Sequence, residues 1–140
     1  MAKKINRGGV IPYYFDDEGN IKMMFMRPSD AKYGGAAFQI AKGKIDADDD
    51  DVEAGAFREA EEELGLFIPN TTNRKNLGTF LGRMTVYTAE VKDPSPSKFG
   101  DHTDETAETR WMTPEEFQQE GRDLHKAVVK AAARAIEKSK

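Results

Sequence analysis

One nine-residue stretch constrains this chain more than any other: Arg58-Glu59-Ala60-Glu61-Glu62-Glu63-Leu64-Gly65-Leu66. On a helix, Glu59, Glu62 and Glu63 stand at i, i+3 and i+4 and share one face, while Glu61 projects elsewhere. Phe57, Ala60 and Leu64 make a separate apolar stripe suited to packing on a sheet. The helix is expected over Val52–Leu64, stopped by Gly65 with Pro69 beyond it. Like charges at these spacings cost roughly a few tenths of a kcal/mol per pair, and a divalent cation reverses that sign. Mg²⁺ and Mn²⁺ prefer oxygen ligands and keep water and phosphate oxygens in their shell. Such an ion neutralises phosphate oxygens, positions a water and lowers its pKa, the requirements of phosphoanhydride cleavage. Arg58 stands beside the trio and can fix a carboxylate through a bidentate pair; its bland role is an ordinary helix salt bridge.

The net charge of −4 conceals an uneven distribution. Residues 46–63 hold ten of the 25 acids and one base, Arg58, while the rest of the chain carries 15 acids against 20 bases. Carboxylates at that density repel unless solvent or cations compensate. An acidic nucleus charged with cations, in basic surroundings, suits a polyphosphate ligand; a solvated acidic loop and helix is the plainer alternative. The 140 residues suit one compact domain over 1–140. There is no cysteine, which excludes disulfides and thiolate metal sites. No apolar run of about 18 residues spans a membrane, and Met1-Ala2-Lys3-Lys4 leads into a mixed strand instead of a signal core. The chain is expected to be a soluble cytoplasmic protein.

Hydrophobic patterning predicts strands at Gly8–Phe15 and Ile21–Met26, joined by a turn over Asp16-Asp17-Glu18-Gly19-Asn20. A loop follows over Arg27–Gly35, then a short strand Ala36–Ala41 and a charged loop Lys42–Asp51. Strand propensity runs from Asn76 to Val91 with a bend near Gly82. The Pro/Ser-rich segment from Asp93 to Asp104 is expected to be a mobile loop. Glu108–Met112 predicts another strand. Thr113-Pro114-Glu115-Glu116 is a capping box with proline at the first helical position. Gly121 interrupts, and Asp123–Lys138 predicts a last helix with Leu124, Val128, Ala131, Ala132 and Ala135 on one stripe. Strands on both sides of a central helix, then terminal helices, imply an α/β or α+β sandwich.

Residues 58–66 resemble the second half of the Nudix box, Arg-Glu-U-x-Glu-Glu-x-Gly-U with U apolar. Arg58, Glu59, Glu62, Glu63 and Gly65 fill the fixed positions, and Ala60 and Leu66 the apolar ones. Gly43, within Phe38-Gln39-Ile40-Ala41-Lys42-Gly43-Lys44-Ile45-Asp46, is similar to the opening glycine. The pattern then departs. Gly43 to Arg58 is one residue too long, and Asp49 or Asp50 stands where the family has a glutamate that supports the site. The resemblance implies an α/β/α sandwich with a mixed sheet, and Glu59, Glu62 and Glu63 as metal ligands, one of them serving as base. Mg²⁺ or Mn²⁺ is the implied cofactor. Glu105, six residues before Trp111, has an offset similar to a loop glutamate of dinucleoside polyphosphate hydrolases and RNA 5′-pyrophosphohydrolases. It is the first choice for a further ligand or general base, with Glu108 second.

Lys42 and Lys44 flank Gly43 and are the best placed phosphate contacts, with solubilising charge the more ordinary role for Arg27 and Arg83. Tyr33, Phe38, Tyr87 and Phe99 are candidates to stack on a base, with burial in the core the more ordinary role for Phe38 and Tyr87. His102 and His125 have no partners at ligand spacing and are assigned nothing. Asp46-x-Asp48-x-Asp50 fails as a calcium loop, since Asp51 and Phe57 occupy the required glycine and glutamate positions. No phosphate-binding Gly-x-x-x-x-Gly-Lys-Ser/Thr loop is present.

The resulting expectation is hydrolysis of a nucleoside diphosphate linked to another moiety. Dinucleoside polyphosphates are favoured; ADP-ribose, FAD, nucleoside triphosphates and the 5′ end of RNA are the alternatives. A non-catalytic module of the same fold, binding nucleotide or protein, is the competing class.

Overall fold

The computed structural model describes residues 7–30, 32, 36–81 and 83–139. Tyr33, Gly34, Gly35 and Gly82, and the first residues of the chain, lie outside the described residues. Strands β1 (Arg7–Phe15), β2 (Ile21–Pro28), β3 (Ala41–Lys44), β4 (Thr71–Phe80), β5 (Met84–Val91) and β6 (Thr106–Met112) form one six-stranded sheet. Helix α1 (Val52–Leu64) follows β3, and α2 (Pro114–Glu120) and α3 (Asp123–Ser139) close the chain.

The sheet order is β4-β5-β1-β2-β6, with β1 and β5 parallel and the other pairs antiparallel. The central strands are apolar in successive positions because both sheet faces are covered. Ile11, Met23, Phe25, Val86 and Met112 pack against Phe117 of α2 and Val128, Val129, Ala132 and Ile136 of α3. Val10, Met24, Met26, Tyr87 and Ala89 turn to the opposite face and meet Ala56, Phe57, Ala60 and Leu64 of α1. This is the mixed-sheet α/β/α sandwich that the resemblance implies.

The sequence expectations fail at several edges. The strand placed at Ala36–Ala41 is displaced: Phe38 and Gln39 form isolated bridges to Gly121 and Met26, and the regular strand is Ala41–Lys44, inside the expected charged loop. Lys42 and Lys44 pair with β1 through backbone, which leaves their charged ends outside the sheet. The Asn76–Val91 segment belongs to a hairpin that begins earlier, at Thr71. On α3 the buried face is His125, Val128, Val129, Ala132 and Ile136, while Leu124 is exposed. The stripe is turned because His125 points inward and accepts the Ile40 N–H at its Nδ1 (3.1 Å). Phe38 and Tyr87 are buried. Phe99 packs edge-on against Trp111.

β1 divides its pairing along one edge. Its first residues, Arg7–Val10, pair with β3, and its last, Tyr13–Phe15, pair with β2. The two partners diverge from β1, and residues of β1, β2 and β3 line a cleft beside the split.

The last turn of α1 has carbonyls with no helical donor. Gly65, at φ +70°, donates its N–H to the Glu61 carbonyl (2.9 Å). The segment expected to be mobile takes the rest: Gly100 N–H donates to the Gly65 carbonyl (2.8 Å), Thr103 N–H to Glu62 (2.8 Å) and the Thr106 hydroxyl to Glu63 (2.9 Å). A Cβ at position 65 would lie 2.0 Å from the Gly100 carbonyl oxygen. Gly65→Ala is therefore expected to cost roughly 2 kcal/mol or more, from left-handed backbone strain plus displacement of the 100–106 segment. Urea unfolding of the two proteins checks this, and an unchanged midpoint refutes it.

Candidate active site

The cleft has a volume of about 710 Å³ and is lined by residues from β1, β2, β3, α1, the β4–β5 turn, the 93–105 segment and the start of α3. It gathers Glu59, Glu63 and Glu105 with Lys42, Gly43 and Lys44. Most of the residues singled out in the sequence thus meet at one place, although Glu105 is more than 40 positions from the box.

Glu62 stands on the flank, outside the cleft lining, with its side chain exposed and within electrostatic reach of Glu59. Glu108 is elsewhere: it pairs with Arg27 (3.4 Å) and Arg110 (3.1 Å), and the Arg110 hydrogen bond holds its carboxyl below the usual range. Arg27 is thereby engaged at the surface, whereas Arg83 lines the cleft.

Arg58 organises the acidic side. Its Nε and Nη2 donate to the two oxygens of Asp49 (2.9 and 3.1 Å), a bidentate pair, and Nη2 also donates to the Lys44 carbonyl (3.1 Å). Nη1 reaches Glu59 (3.1 Å) and Glu62 (3.4 Å). The Arg58 hydrogen bonds are the main cause that lowers the Asp49 pKa. Asp49, and not Asp50, occupies the supporting position left open in the sequence. It stands six residues after Gly43, so the additional residue falls between Asp49 and Arg58.

Gly43 leaves room for the end of the Glu59 side chain. A Cβ there would sit 2.1 Å from the Glu59 carboxyl carbon, so the Glu59 carboxylate lies in the space a side chain would fill. Burial raises the Glu59 pKa, and Glu62 adds to it. Glu63 is more affected: burial, with the charges of Glu59 and Glu105, pushes its carboxyl up to about 8, although the Lys42 N–H donates to it (3.3 Å). The Lys42 ammonium is lowered by burial first and by the positive charges of Arg122 and Arg7.

As these side chains stand, no three His, Asp or Glu groups among the described residues close on a single metal position. The donor set nevertheless fits a hard divalent cation. It is all oxygen, Glu63 is desolvated beside two other carboxylates, and Glu59 is cradled on a glycine. A dication would offset the burial, and the smaller repulsion from Glu59 and Glu105, that keep a proton on Glu63.

Among the lining residues that the sequence did not single out for the site are the polar and charged side chains of Arg7, Gln39, Arg122 and His125. Gln39 carried the only available signal, a polar side chain inside the apolar run Ala36-Ala37-Phe38-Gln39-Ile40-Ala41. His125 appeared as an isolated histidine.

The sequence matches the NUDIX domain family over residues 6–133. The chain belongs to the Nudix family. The enzyme class expected from the box, a pyrophosphohydrolase, stands with that membership. No curated protein sequence matches it. Solved structures share the Nudix fold at low identity. An Ap4A hydrolase of C. elegans, as a binary complex, superposes with a TM-score of 0.74 at 15% identity, covering 95% of this chain and 98% of that one. The M. smegmatis Nudix hydrolase RenU gives 0.72 at 14% identity, over 95% and 88%. The NUDIX domain of Shewanella oneidensis NrtR, complexed with ADP ribose, gives 0.71 at 12% identity, over 97% and 90%.

The raised Glu63 pKa carries a stability consequence. Its folded value of about 8 lies above its ordinary 4.5, so the folded Nudix domain holds a proton that the unfolded chain releases between those values. Metal-free stability should fall as pH rises from about 4.5 to about 8 and level off beyond. Glu63→Gln should remove that component and be the more stable protein at pH 8.5, by on the order of a few kcal/mol. Chemical denaturation in chelator at pH 5.5 and 8.5 measures this; equal pH dependence in both proteins refutes it.

Proposed function

We propose that this Nudix chain hydrolyses a pyrophosphate bond in a nucleoside diphosphate linked to another moiety. Glu59, Glu62, Glu63 and Glu105 are proposed to hold Mg²⁺ or Mn²⁺, and Lys42, Gly43 and Lys44 to meet the phosphates. The carrying observation is that Glu59, Glu63 and Glu105 share one cleft with Lys42 and Lys44. When bound, the cation would supply neutralisation of the phosphate oxygens and acidification of the attacking water. The chain's own groups do the remaining work. Arg58 fixes Glu59 and Glu62, and Gly43 lets the Glu59 carboxylate approach β3. The Lys42 ammonium, partly desolvated, offers a stronger interaction to a phosphate than a lysine in water does. Glu63 and Glu105, which both line the cleft, are proposed to accept the proton from water.

Dinucleoside polyphosphates are the favoured substrates, supported by the Phe38-Gln39-x-x-Lys42-Gly43-x-Ile45 phrase, which resembles that of the dinucleoside polyphosphate and capped-RNA subgroup, and by the fold shared with an Ap4A hydrolase. The NrtR domain with ADP ribose makes ADP-ribose the first competitor. Incubation with dinucleoside polyphosphates, ADP-ribose, FAD, nucleoside triphosphates and 5′-triphosphate RNA, with Mg²⁺ or Mn²⁺ and chromatography of products, tests the choice. Absence of cleavage across that panel refutes the reading.

Two further outcomes are expected. Turnover should vanish in excess chelator, and Mg²⁺ binding at pH 7 should release close to one proton, because Glu63 must ionise. Titration calorimetry in buffers of different ionisation heat counts it, and binding without proton release contradicts the placement of Glu63.

Glu59→Gln and Glu63→Gln should each lower kcat by at least ~10²-fold. Glu105→Gln should lower kcat with a smaller change in KM, as expected of a group that acts after binding. Glu108→Gln is the control, since its carboxylate is tied to Arg27 and Arg110. Loss of turnover in Glu108→Gln with retention in Glu105→Gln would reverse the assignment.

A further inference from the structure

Two side chains that line the cleft hold polar atoms no part of the mechanism uses. The Gln39 amide nitrogen and His125 Nε2 are both buried without a hydrogen-bond partner among the described residues. Gln39 is 2% exposed and His125 is 0%. Their other atoms are committed. Gln39 Oε1 accepts from Lys42 Nζ (3.4 Å), and His125 Nδ1 accepts from the Ile40 N–H (3.1 Å). An Nδ1 that accepts leaves the neutral ring's proton on Nε2. Burial, with Lys42 and Arg122 nearby, keeps this histidine neutral, down to about 3. Both unused atoms are therefore donors, and both sit on side chains that line the cleft. Buried donors of this kind call for an acceptor.

The surrounding charge selects which acceptor. The charged groups that act on His125 are Lys42 and Arg122, both positive, and Arg122 is anchored there by its N–H to the Phe38 carbonyl (2.7 Å). Among charged groups, Lys42, which bridges to the carboxylates, feels Glu63 first, then Arg122 and Arg7 as like charges, and Glu59 last. A neutral base edge would satisfy the donors and leave this potential uncompensated, whereas a phosphate oxygen satisfies both.

We propose that Gln39 and His125, with Lys42 and Arg122, form an anion subsite in the inner wall of the cleft that takes a substrate phosphate beyond those held at the carboxylates. The subsite rests on the hydrolase reading for its substrate and makes that substrate a chain of several phosphates. Its binding is measurable without turnover, so the two readings fail separately.

The test uses metal-free protein in chelator, with inorganic tripolyphosphate and, separately, adenosine as probes. Calorimetry should show tripolyphosphate binding to the wild-type chain, weakened roughly tenfold in Gln39→Met, which keeps size and loses the donor. Because His125 also holds the Ile40 N–H, it is followed in the unaltered protein by nitrogen-edited NMR. Its Nε2–H signal should shift with tripolyphosphate and stay in place with adenosine. A shift and a Gln39→Met loss confined to adenosine would make the donors readers of the base and overturn the proposal. No tripolyphosphate binding by the wild-type chain, or binding indifferent to Gln39→Met with an unmoved His125 signal, would also overturn it.

Discussion

The acidic helix is tolerable because of one guanidinium. Arg58 is the only base in a stretch with ten acids, and it contacts four of them, Asp46, Asp49, Glu59 and Glu62. Its planar fork presents one edge to Asp49 and the other to the helix carboxylates, a division that a lysine ammonium cannot reproduce. Asp49 thereby anchors the loop to the helix, and Lys44 is drawn in through its carbonyl. Exposed ion pairs contribute little singly; the value of this set is geometric, because it orients Glu59 and Glu62 before any cation binds. Glu63 has no such pair and carries the large upward shift. One helix thus presents tethered carboxylates beside one that holds a proton near neutrality, and divergent environments of this kind separate acid–base roles.

The second constraint is the end of α1. Its terminal carbonyls need donors, and the 100–106 segment supplies them from Gly100, Thr103 and Thr106. Glu105 sits between two of those anchors, and its own carbonyl accepts from Ser29 N–H (2.9 Å). A carboxylate remote in sequence is therefore placed beside Glu63 by helix capping. The segment expected to be mobile is hydrogen-bonded to the end of α1, the helix that carries the box carboxylates.

Much of this was legible in the chain. Three carboxylates, an arginine and a glycine stop fall within residues 58–65, on one helix and its C-cap, where spacing dictates geometry. Alternating burial of Val10 and Ile11, or of Val86 and Tyr87, follows from strand period alone. What escaped depended on tertiary contact. Lys42 and Lys44 read as loop because they are charged, yet β-pairing needs only their backbone. Leu124 read as core, and His125 was assigned nothing. Leu124 is exposed and His125 buried because Ile40 N–H sits opposite α3 and requires an acceptor, which a leucine side chain lacks. Asp49 and Asp50 were equivalent until the turn from Asp46 to Asp49 brought one of them under Arg58.

These features make the cleft a place where the fold gives up stability. A buried donor left without an acceptor costs about 1–3 kcal/mol, and the cleft wall holds two, Gln39 and His125. Glu63 adds the cost of ionising a buried carboxyl beside Glu59 and Glu105. In the proposed reading a different part of one ligand assembly would recover each of these costs: a cation held by the carboxylates would favour ionised Glu63, and an anion would satisfy the donors. A cation alone leaves the donors unmet, and an anion alone adds negative charge near three carboxylates. In that reading the two components would bind with positive coupling, each lowering the cost that opposes the other. That coupling favours a substrate long enough to span both regions, because a single molecule then collects both gains while losing its translational freedom once.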